Sequence, residues 1–206
     1  MKLEVKYSEL IQGDYSPKKL NLMLVFQVNC PGCFLYAIPQ VNFLNQKYGD
    51  KISFYGMSTA FEDFEWNTSE HTRLLVEKGL TIGETKKALA RNNRATYNVQ
   101  IDFPVMFDAI TSQQELMQDD SLERLTRQFT LLNNTPADEV PHIKESVRNY
   151  LLHFPKVGYT FINNWLGGTP TYILFNDKLE ILGRWFGETP TTNLERAIVH
   201  QLSDIF

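Results

Sequence analysis

Cys30 and Cys33 are the only cysteines in this chain of 206 residues, and Pro31 and Gly32 separate them. Two thiols at this spacing can form a redox pair, supply half of a metal site, or lie close without a shared function. If chance alone placed two cysteines, roughly one arrangement in a hundred would have this spacing. The spacing therefore favours a functional pair.

The elements around the pair predict how its sulfur atoms are presented. The apolar run Leu20–Val28 predicts a buried strand, and apolar residues recur at helical spacing from Pro31 to Tyr48. Ile52–Ser58 predicts a second strand, parallel to the first because the connection has the length of a right-handed crossover. Cys30 then lies at a helix N-terminus, where unpaired N–H groups and the helix dipole stabilise a thiolate.

The remaining elements are predicted from periodicity, helix caps and turn residues. Helices are expected over Thr68–Lys78, Thr81–Tyr97, Gln113–Leu132, Glu139–Phe154 and Asn193–Phe206. A short strand is expected over Phe103–Asp108, and a β-hairpin over Thr171–Phe175 and Glu180–Phe186. Strands alternating with helices in this way indicate an α/β protein.

Composition and charge restrict the possible partners. The formal net charge is -4 and no apolar run approaches the roughly 18 residues that span a bilayer. The sequence therefore predicts a soluble protein without a nucleic-acid or membrane partner. The N-terminal residues lack the apolar block of a signal peptide, which favours a cytoplasmic location, although a mature chain cut from a precursor would look the same.

The CPGC motif between a strand and a helix resembles the active site of the thioredoxin superfamily. The later segment Gly167-Gly168-Thr169-Pro170-Thr171, before a β-hairpin, resembles the cis-proline loop of that family. The resemblance implies a cis Thr169–Pro170 bond, with Pro170 beside Cys30 and the Thr169 backbone free to pair with a substrate. Within the superfamily, the chain is most similar to the TlpA-like and AhpC/TSA-type branch.

This resemblance covers about residues 20–109 and 158–206. It implies a thioredoxin-like α/β fold, with a central mixed β-sheet flanked by helices, over a single domain of residues 1–206. Residues 110–157 have no counterpart in the family pattern. They are predicted to form a helical insertion within that domain.

The sequence departs from the family pattern at three positions. Asn29 precedes the first cysteine where many members have Trp, so the groove beside Cys30 should be more polar. Leu24 takes the place of a buried acidic residue that assists proton transfer to the second cysteine, so a water or another carboxylate would have to serve. Pro39 follows Cys33 by six residues, one more than usual, which predicts a distorted helix start.

The sequence has two further aromatic features, and we interpret one as structural and the other as part of the substrate groove. Phe61–Trp66 is predicted to be an acidic, solvated loop that its aromatic residues anchor to the core. Trp165 lies just before the predicted cis-proline loop and is interpreted as a wall of the substrate groove. Gly167 and Gly168 would permit an unusual backbone before Pro170.

The alternatives to a redox pair are less well supported. A peroxiredoxin has Thr or Ser three residues before its reactive cysteine, where this chain has Gln27. A structural zinc site needs two further ligands, and the four histidines form no close pair along the chain: His71, His142, His153 and His200. An iron–sulfur cluster bridging two subunits has no specific sequence support. No metal site is therefore expected.

The leading hypothesis is a thiol–disulfide oxidoreductase in which Cys30 attacks and Cys33 resolves the mixed disulfide. A second group, Asn29, Pro31, Gly32, Trp165, Thr169 and Pro170, is predicted to contact the substrate. No cofactor is expected, the substrate would be a protein or small-molecule disulfide, and electrons would come from another protein or glutathione. The alternative is a binding module in which residues 110–157 dock a partner, with little or no turnover.

Overall fold

The computed structural model describes residues 1–93 and 96–205, and within them six strands form one mixed sheet. In the order in which they pair across the sheet, the strands are β1 (Tyr7–Gln12), β4 (Val105–Asp108), β3 (Ser53–Ser58), β2 (Leu20–Phe26), β7 (Thr171–Asn176) and β8 (Ile181–Phe186). β2 is parallel to β3 and antiparallel to β7, so the predicted mixed sheet and the predicted parallel pair are confirmed.

The helices cover both faces of this sheet. Their ranges are α1 (Ile38–Tyr48), α2 (Ser69–Lys78), α3 (Gly83–Arg91), α4 (Gln113–Leu116), α5 (Asp119–Asn133), α6 (Val140–Leu151), α7 (Tyr159–Asn163) and α8 (Thr191–Ile205). A single 3-10 turn, Ala137–Glu139, precedes α6. No helix within residues 1–93 and 96–205 is both long and apolar enough to cross a bilayer.

Every residue of β2 is buried, and its side chains alternate between two cores. Leu22, Leu24 and Phe26 point into the first core, which also contains Cys33 and residues of α1, α3 and α8. Met23 and Val25 point into the second core, on the other face of the sheet, together with residues of α5, α6 and α7. The two faces of the sheet therefore form separate cores, and the cysteine pair lies with the first core.

The chain between β4 and α7 forms a helical segment whose ends are paired. The short strands β5 (Ile110–Ser112) and β6 (Lys156–Gly158) form an antiparallel ribbon in which Ile110 faces Gly158. Between them lie α4, α5 and α6, and α5 and α6 contribute Leu122, Leu125, Val147 and Leu151 to the second core. The segment is thus packed onto the sheet and closed at its base.

Several boundaries differ from the prediction. The helix expected over Gln113–Leu132 is two helices, because Ser112 and Glu115 form a capping box around α4 and a new helix starts at Asp119. The helix expected over Thr81–Tyr97 is limited to Gly83–Arg91, and its residues 94 and 95 lie outside the described residues, as does Phe206 of the last predicted helix. The strands β1, β5 and β6 and the helix α7 were not predicted.

The predicted distortion at the start of the first helix is confirmed. Pro31 and Gly32 are helical, Cys33–Ala37 then forms a π-helical turn, and α1 follows directly. Pro39 has no N–H to continue the regular bonding pattern, and the Ile38 N–H instead reaches back five residues to the Cys33 carbonyl. A π-turn contains one extra residue, so it accommodates the additional position between Cys33 and Pro39.

Candidate active site

Cys30 and Cys33 lie immediately beyond the carboxyl end of β2 and are joined in a disulfide, with their Cα atoms 5.4 Å apart. Cys33 is fully buried in the first core, whereas Cys30 is only partly buried. Because Cys33 has no exposed surface and Cys30 keeps some, an external thiol or disulfide is expected to approach Cys30 rather than Cys33. The prediction that these residues form a redox-capable pair agrees with this arrangement.

The helix N-terminus directs a hydrogen-bond donor at the exposed sulfur. The backbone N–H of Cys33 lies 3.3 Å from Cys30 Sγ, and it also donates to the Cys30 carbonyl at 3.0 Å. An N–H group at this distance and the positive end of a helix both favour a negative charge on sulfur. The geometry therefore suits Cys30 as a thiolate nucleophile or leaving group.

The Gly-Gly-Thr-Pro segment lies directly against the exposed sulfur. The peptide bond between Thr169 and Pro170 is cis, and the Thr169 carbonyl oxygen lies 3.6 Å from Cys30 Sγ. Pro170 is buried, and its carbonyl accepts a hydrogen bond from the backbone N–H of Gly187 at 2.9 Å. Residues 139 positions apart in the sequence are thus brought into contact at the site.

Glycine is required at position 168. Its φ is +156°, and a Cβ atom there would lie 2.8 Å from the Phe186 ring. Phe186 is 62% exposed, so the cis-proline loop has a solvent-facing aromatic ring beside it. No motif in the sequence marks Phe186, because its position next to Gly168 follows only from the pairing of Thr171 with Phe186.

Asn29 makes three hydrogen bonds within the protein rather than facing the groove as a free polar group. Its Oδ1 accepts from the backbone N–H of Glu84 at 2.7 Å, and its Nδ2 donates to Asp63 Oδ2 at 2.8 Å. Its backbone N–H donates to Asn67 Oδ1 at 3.0 Å. Asn29, which directly precedes Cys30, is therefore held by the acidic loop and by the first turn of α3.

This contact explains two features of α3. Gly83 has φ +48°, and a Cβ atom at that position would collide with the Asn29 side-chain oxygen. Thr81, which the sequence predicted as the cap of this helix, is not the N-cap, and Ile82 in that position makes no side-chain cap. The Asn29 amide, 55 residues away in the sequence, provides the acceptor instead.

The two residues between the cysteines are held in helical geometry. Pro31 is the first helical residue, where its missing N–H needs no partner, and both Pro31 and Gly32 are partly buried. The Tyr36 side chain lies over Gly32, and a Cβ atom added to Gly32 would be only 2.9 Å from the Tyr36 hydroxyl oxygen. Tyr36 is therefore a neighbour of the CPGC motif that sequence analysis missed.

Trp165 lies away from the cysteines. Its Nε1 donates to the Leu125 carbonyl of α5 at 3.1 Å, and its ring packs against Phe129 and Tyr150. These partners belong with the second core, on the face of the sheet opposite Cys33. The interpretation of Trp165 as a wall of the substrate groove finds no support in its described contacts.

Leu24 is buried in the first core, as the sequence predicted, and the buried carboxylate of the structure lies elsewhere. Asp108 is fully buried at the end of β4 and accepts hydrogen bonds from the Thr59 hydroxyl and the backbone N–H groups of Thr160 and Phe161, at 2.7, 2.8 and 3.2 Å. Burial raises the pKa of Asp108 to about 6. Because Asp108 lies two residues after Met106 on the same strand, its side chain points to the same face of the sheet as Met106, that of the second core, and does not face Cys33.

Gln27 contacts the cis-proline loop from the same strand end. Its Oε1 accepts a hydrogen bond from the Thr169 hydroxyl at 3.2 Å, and its Nε2 is buried without a partner among the described residues. The sequence draws attention to Gln27 only because peroxiredoxins have Thr or Ser at this position, three residues before the reactive cysteine. Its contact with Thr169 supports a structural role in the loop.

The loop that contains Phe61–Trp66 has the predicted aromatic anchor. The Phe61 ring stacks on Phe161 with centroids 4.1 Å apart, and Asp63 and Glu65 are exposed. Its contact with Asn29 through Asp63 was not predicted. Within residues 1–93 and 96–205, no group of three or more His, Cys, Asp or Glu side chains could hold a metal ion.

No family model matches this chain, and no curated protein sequence matches it. Solved structures do match. A thioredoxin-like superfamily protein, SPOA0173, is 17% identical with a TM-score of 0.58, over 97% of this chain and 95% of that chain. A thiol-disulfide isomerase from Corynebacterium glutamicum is 17% identical with a TM-score of 0.56, over 95% of this chain and 92% of that chain.

A third match is the solution structure of a thioredoxin-like protein in the oxidized form. It is 12% identical with a TM-score of 0.51, over 99% of this chain and 95% of that chain. Identities at this level establish architecture and leave chemistry to be argued from the site. The strand order, the position of the disulfide and these similarities together give the chain a thioredoxin-like fold.

Proposed function

We propose that this protein is a thiol–disulfide oxidoreductase that uses Cys30 and Cys33 as its redox pair. The observation that carries the proposal is the unequal exposure of the two sulfurs. Cys30 is accessible beside the Thr169 carbonyl and the Cys33 N–H, whereas Cys33 is fully buried behind it. This arrangement assigns attack to Cys30 and resolution to Cys33.

The reaction balances without a cofactor. In the reducing direction, the Cys30 thiolate attacks one sulfur of a substrate disulfide, forms a mixed disulfide and expels the other substrate sulfur as a thiolate. The Cys33 thiolate then attacks Cys30 Sγ, which forms the internal disulfide and releases the second substrate thiol. Two electrons pass to the substrate, and a dithiol protein or glutathione restores the reduced pair.

The neighbouring residues divide into substrate-facing and supporting groups. The Thr169 backbone and Pro170 are proposed to orient the substrate at the exposed sulfur, with Pro31 and Gly32 forming the opposite edge. Asn29 is proposed to act as a positioning residue, because its side-chain oxygen and amide group each already have a partner within the protein. Trp165 is left out of the substrate site for the reason given above.

We place the reaction in the cytoplasm and in the reducing direction, and the reduction potential of the pair tests both. The protein is equilibrated in dithiothreitol or glutathione redox buffers, and its thiol state is read by alkylation. A reversible two-electron titration near or below about -220 mV is expected for a cytoplasmic reductase. A value near about -120 mV would overturn the direction and favour an oxidant.

A disulfide reductase assay tests the function itself. The wild-type protein should reduce insulin or a fluorescent peptide disulfide at the expense of dithiothreitol. Cys30→Ser should lower the rate to that of dithiothreitol alone, since no other described cysteine can replace the nucleophile. Reductase activity that survives Cys30→Ser would refute the assigned role.

We further propose that residues 110–157 are a helical insertion within one thioredoxin-like domain. The pairing of Ile110 with Gly158 supports this, because the chain leaves and returns at one place. The alternative function, a binding module that docks a partner on this segment, draws support from its exposed apolar side chains, including Leu131 and Leu152 at 60% and 53% exposure. A protein that forms the disulfide but shows no turnover would favour the binding module.

A further inference from the structure

A pocket of about 520 Å³ opens between the start of the first helix, which follows the cysteine pair, and the loop after β8. Its lining residues are Tyr36, Gln40, Glu188, Thr189, Pro190 and Thr191. Neither the fold nor the sulfur chemistry requires this pocket. Its position nevertheless makes it part of the surface that a substrate meets at Cys30.

The pocket is close enough to the reactive sulfur for one substrate to touch both. The Cys33 N–H lies 3.3 Å from Cys30 Sγ, and the Tyr36 hydroxyl would lie 2.9 Å from a Cβ atom on the preceding Gly32. Covalent geometry then limits the distance from Cys30 Sγ to the Tyr36 hydroxyl to roughly 10 Å. The side chain of a residue one or two positions from a substrate cysteine can span this distance.

The wall of the pocket is held in place by bonds within the protein. Gln40 Nε2 donates to the Thr189 carbonyl at 2.7 Å and to the Thr191 hydroxyl at 2.9 Å, and Gln40 Oε1 accepts from the Tyr172 hydroxyl at 2.5 Å. These groups are already paired and do not need a ligand. They fix the loop after β8 against α1, so the pocket exists before any substrate arrives.

Two polar groups of the lining remain available. Among the described residues, neither the Tyr36 hydroxyl nor the Glu188 carboxylate has a hydrogen-bond or ion-pair partner. Burial raises the pKa of Tyr36, and the nearby charge of Glu188 raises it further. The pocket is therefore lined by a carboxylate and by a tyrosine, which brings a hydroxyl and an aromatic ring.

These three groups fit a cation. A carboxylate binds a guanidinium or ammonium group, a phenol oxygen accepts one of its N–H bonds, and an aromatic face attracts its positive charge. An acidic side chain would instead be repelled by Glu188, and an apolar side chain would leave the carboxylate unsatisfied. We propose that this pocket binds a lysine or arginine side chain next to the reactive cysteine of a disulfide-bearing protein substrate.

This inference rests on the proposed function and names the substrate class of the same site. It is tested with three fluorescent peptide disulfides that differ only two residues from the cysteine, where they carry arginine, glutamine or glutamate. The wild-type protein should show a higher kcat/KM for the arginine peptide than for the glutamine peptide, by about twofold to fivefold. Raising the salt concentration should reduce this preference.

Glu188→Gln is the variant that decides the assignment, because it keeps the shape and removes the charge. It should abolish the preference for the arginine peptide over the glutamine peptide, and the reduction potential of the Cys30–Cys33 pair should stay the same. Tyr36→Phe should weaken the preference in part, because the ring remains. Glu77→Gln, which removes an exposed charge on α2, should leave the preference intact.

The possible failures are distinguishable. If Glu188→Gln lowers kcat/KM for all three peptides equally, or changes none of them, the pocket does not bind a cation and the inference is overturned. If Glu77→Gln has the same effect as Glu188→Gln, overall charge rather than the pocket sets the preference, and the inference is also overturned. If the wild-type protein turns over none of the peptides, it is the proposed function that fails.

Discussion

The Asn29 side-chain oxygen accepts a hydrogen bond from the backbone N–H of Glu84 at 2.7 Å, and this joins the residue before Cys30 to the first turn of α3. The same amide donates to Asp63. The exposed sulfur thus follows directly after a residue held from two sides. The family pattern that the sequence resembles has a tryptophan at this position, whereas here an amide forms hydrogen bonds to two other segments.

Removing the side-chain amide of Asn29 should lower both the stability of the protein and its reductase activity. Asn29→Ala leaves the Glu84 N–H and the Asp63 carboxylate without their partner, so we expect a loss of about 1 to 2 kcal/mol in the free energy of unfolding. Reductase kcat/KM should also fall. Urea denaturation of the oxidised protein and the peptide assay measure the two effects.

Asn29→Asp is the matched variant, since it keeps an acceptor for Glu84 but places a second carboxylate beside Asp63. It should retain less stability than wild type because the two negative charges repel. Equal stability of all three proteins would mean that the bonds of Asn29 contribute nothing measurable.

Glycine at position 83 should be necessary for the same contact. In Gly83→Ala, the methyl group meets the Asn29 oxygen and the residue must keep φ +48°, so we expect destabilisation of about 1 to 3 kcal/mol. Gly167→Ala is the control, because no atom lies within 4 Å of a Cβ there. The midpoints of thermal unfolding compare the two variants, and similar midpoints would contradict the close approach of Asn29 to α3.

Removing the resolving cysteine should trap the reaction at its first step. In Cys33→Ser, Cys30 can still form a mixed disulfide with a substrate, but no second thiol releases it. Incubation with an oxidised peptide should therefore give a stable adduct, detected by mass spectrometry as an added mass that dithiothreitol removes.

Cys30→Ser is the counterpart of that trap. Its remaining thiol is fully buried in the oxidised structure, so the adduct should form at least tenfold more slowly. Adducts that form equally fast in the two variants would show that the sulfurs do not differ in access.

The buried Asp108 predicts how stability changes with pH. Burial raises its folded-state pKa to about 6, above the ordinary value of 3.8, so the folded protein holds this proton more tightly than the unfolded chain does. Its contribution to stability is therefore fully present below about pH 4 and is lost as pH rises through about 6. The loss should be on the order of 2 to 3 kcal/mol.

Asp108→Asn removes this titration. The difference in the free energy of unfolding between wild type and Asp108→Asn, measured in urea at several pH values, should change between about pH 4 and 6 and stay constant above pH 7. A difference that is flat over the whole range would mean that Asp108 titrates alike in both states.

Local features of the sequence predicted the elements that carry the sulfurs. The apolar run of β2, the helical period after Pro31 and the turn residues of the β7–β8 hairpin each depend on residues that are close in the chain. The extra residue before Pro39 correctly predicted a distorted helix, which the structure contains as the π-turn Cys33–Ala37.

Contacts between distant residues could not be predicted in this way. Asn29 meets Asp63 and Glu84 across 34 and 55 residues, and no periodicity records that they share a site. Trp165 was assigned by its nearness in sequence to Pro170, but its partners come from α5 and α6, 40 residues away in the case of Leu125. Its partly buried side chain packs against the second core, where a large apolar ring removes more surface from water than it would at an exposed groove.

The ribbon of β5 and β6 also bears on how such a protein can change over evolutionary time. Opposed residues of an antiparallel pair lie about 5 Å apart, so the segment between Ile110 and Gly158 begins and ends at nearly one point. The ends of the segment can therefore stay in place when its length changes. Its sequence is less free, because side chains of α5 and α6 pack on the central sheet in the second core.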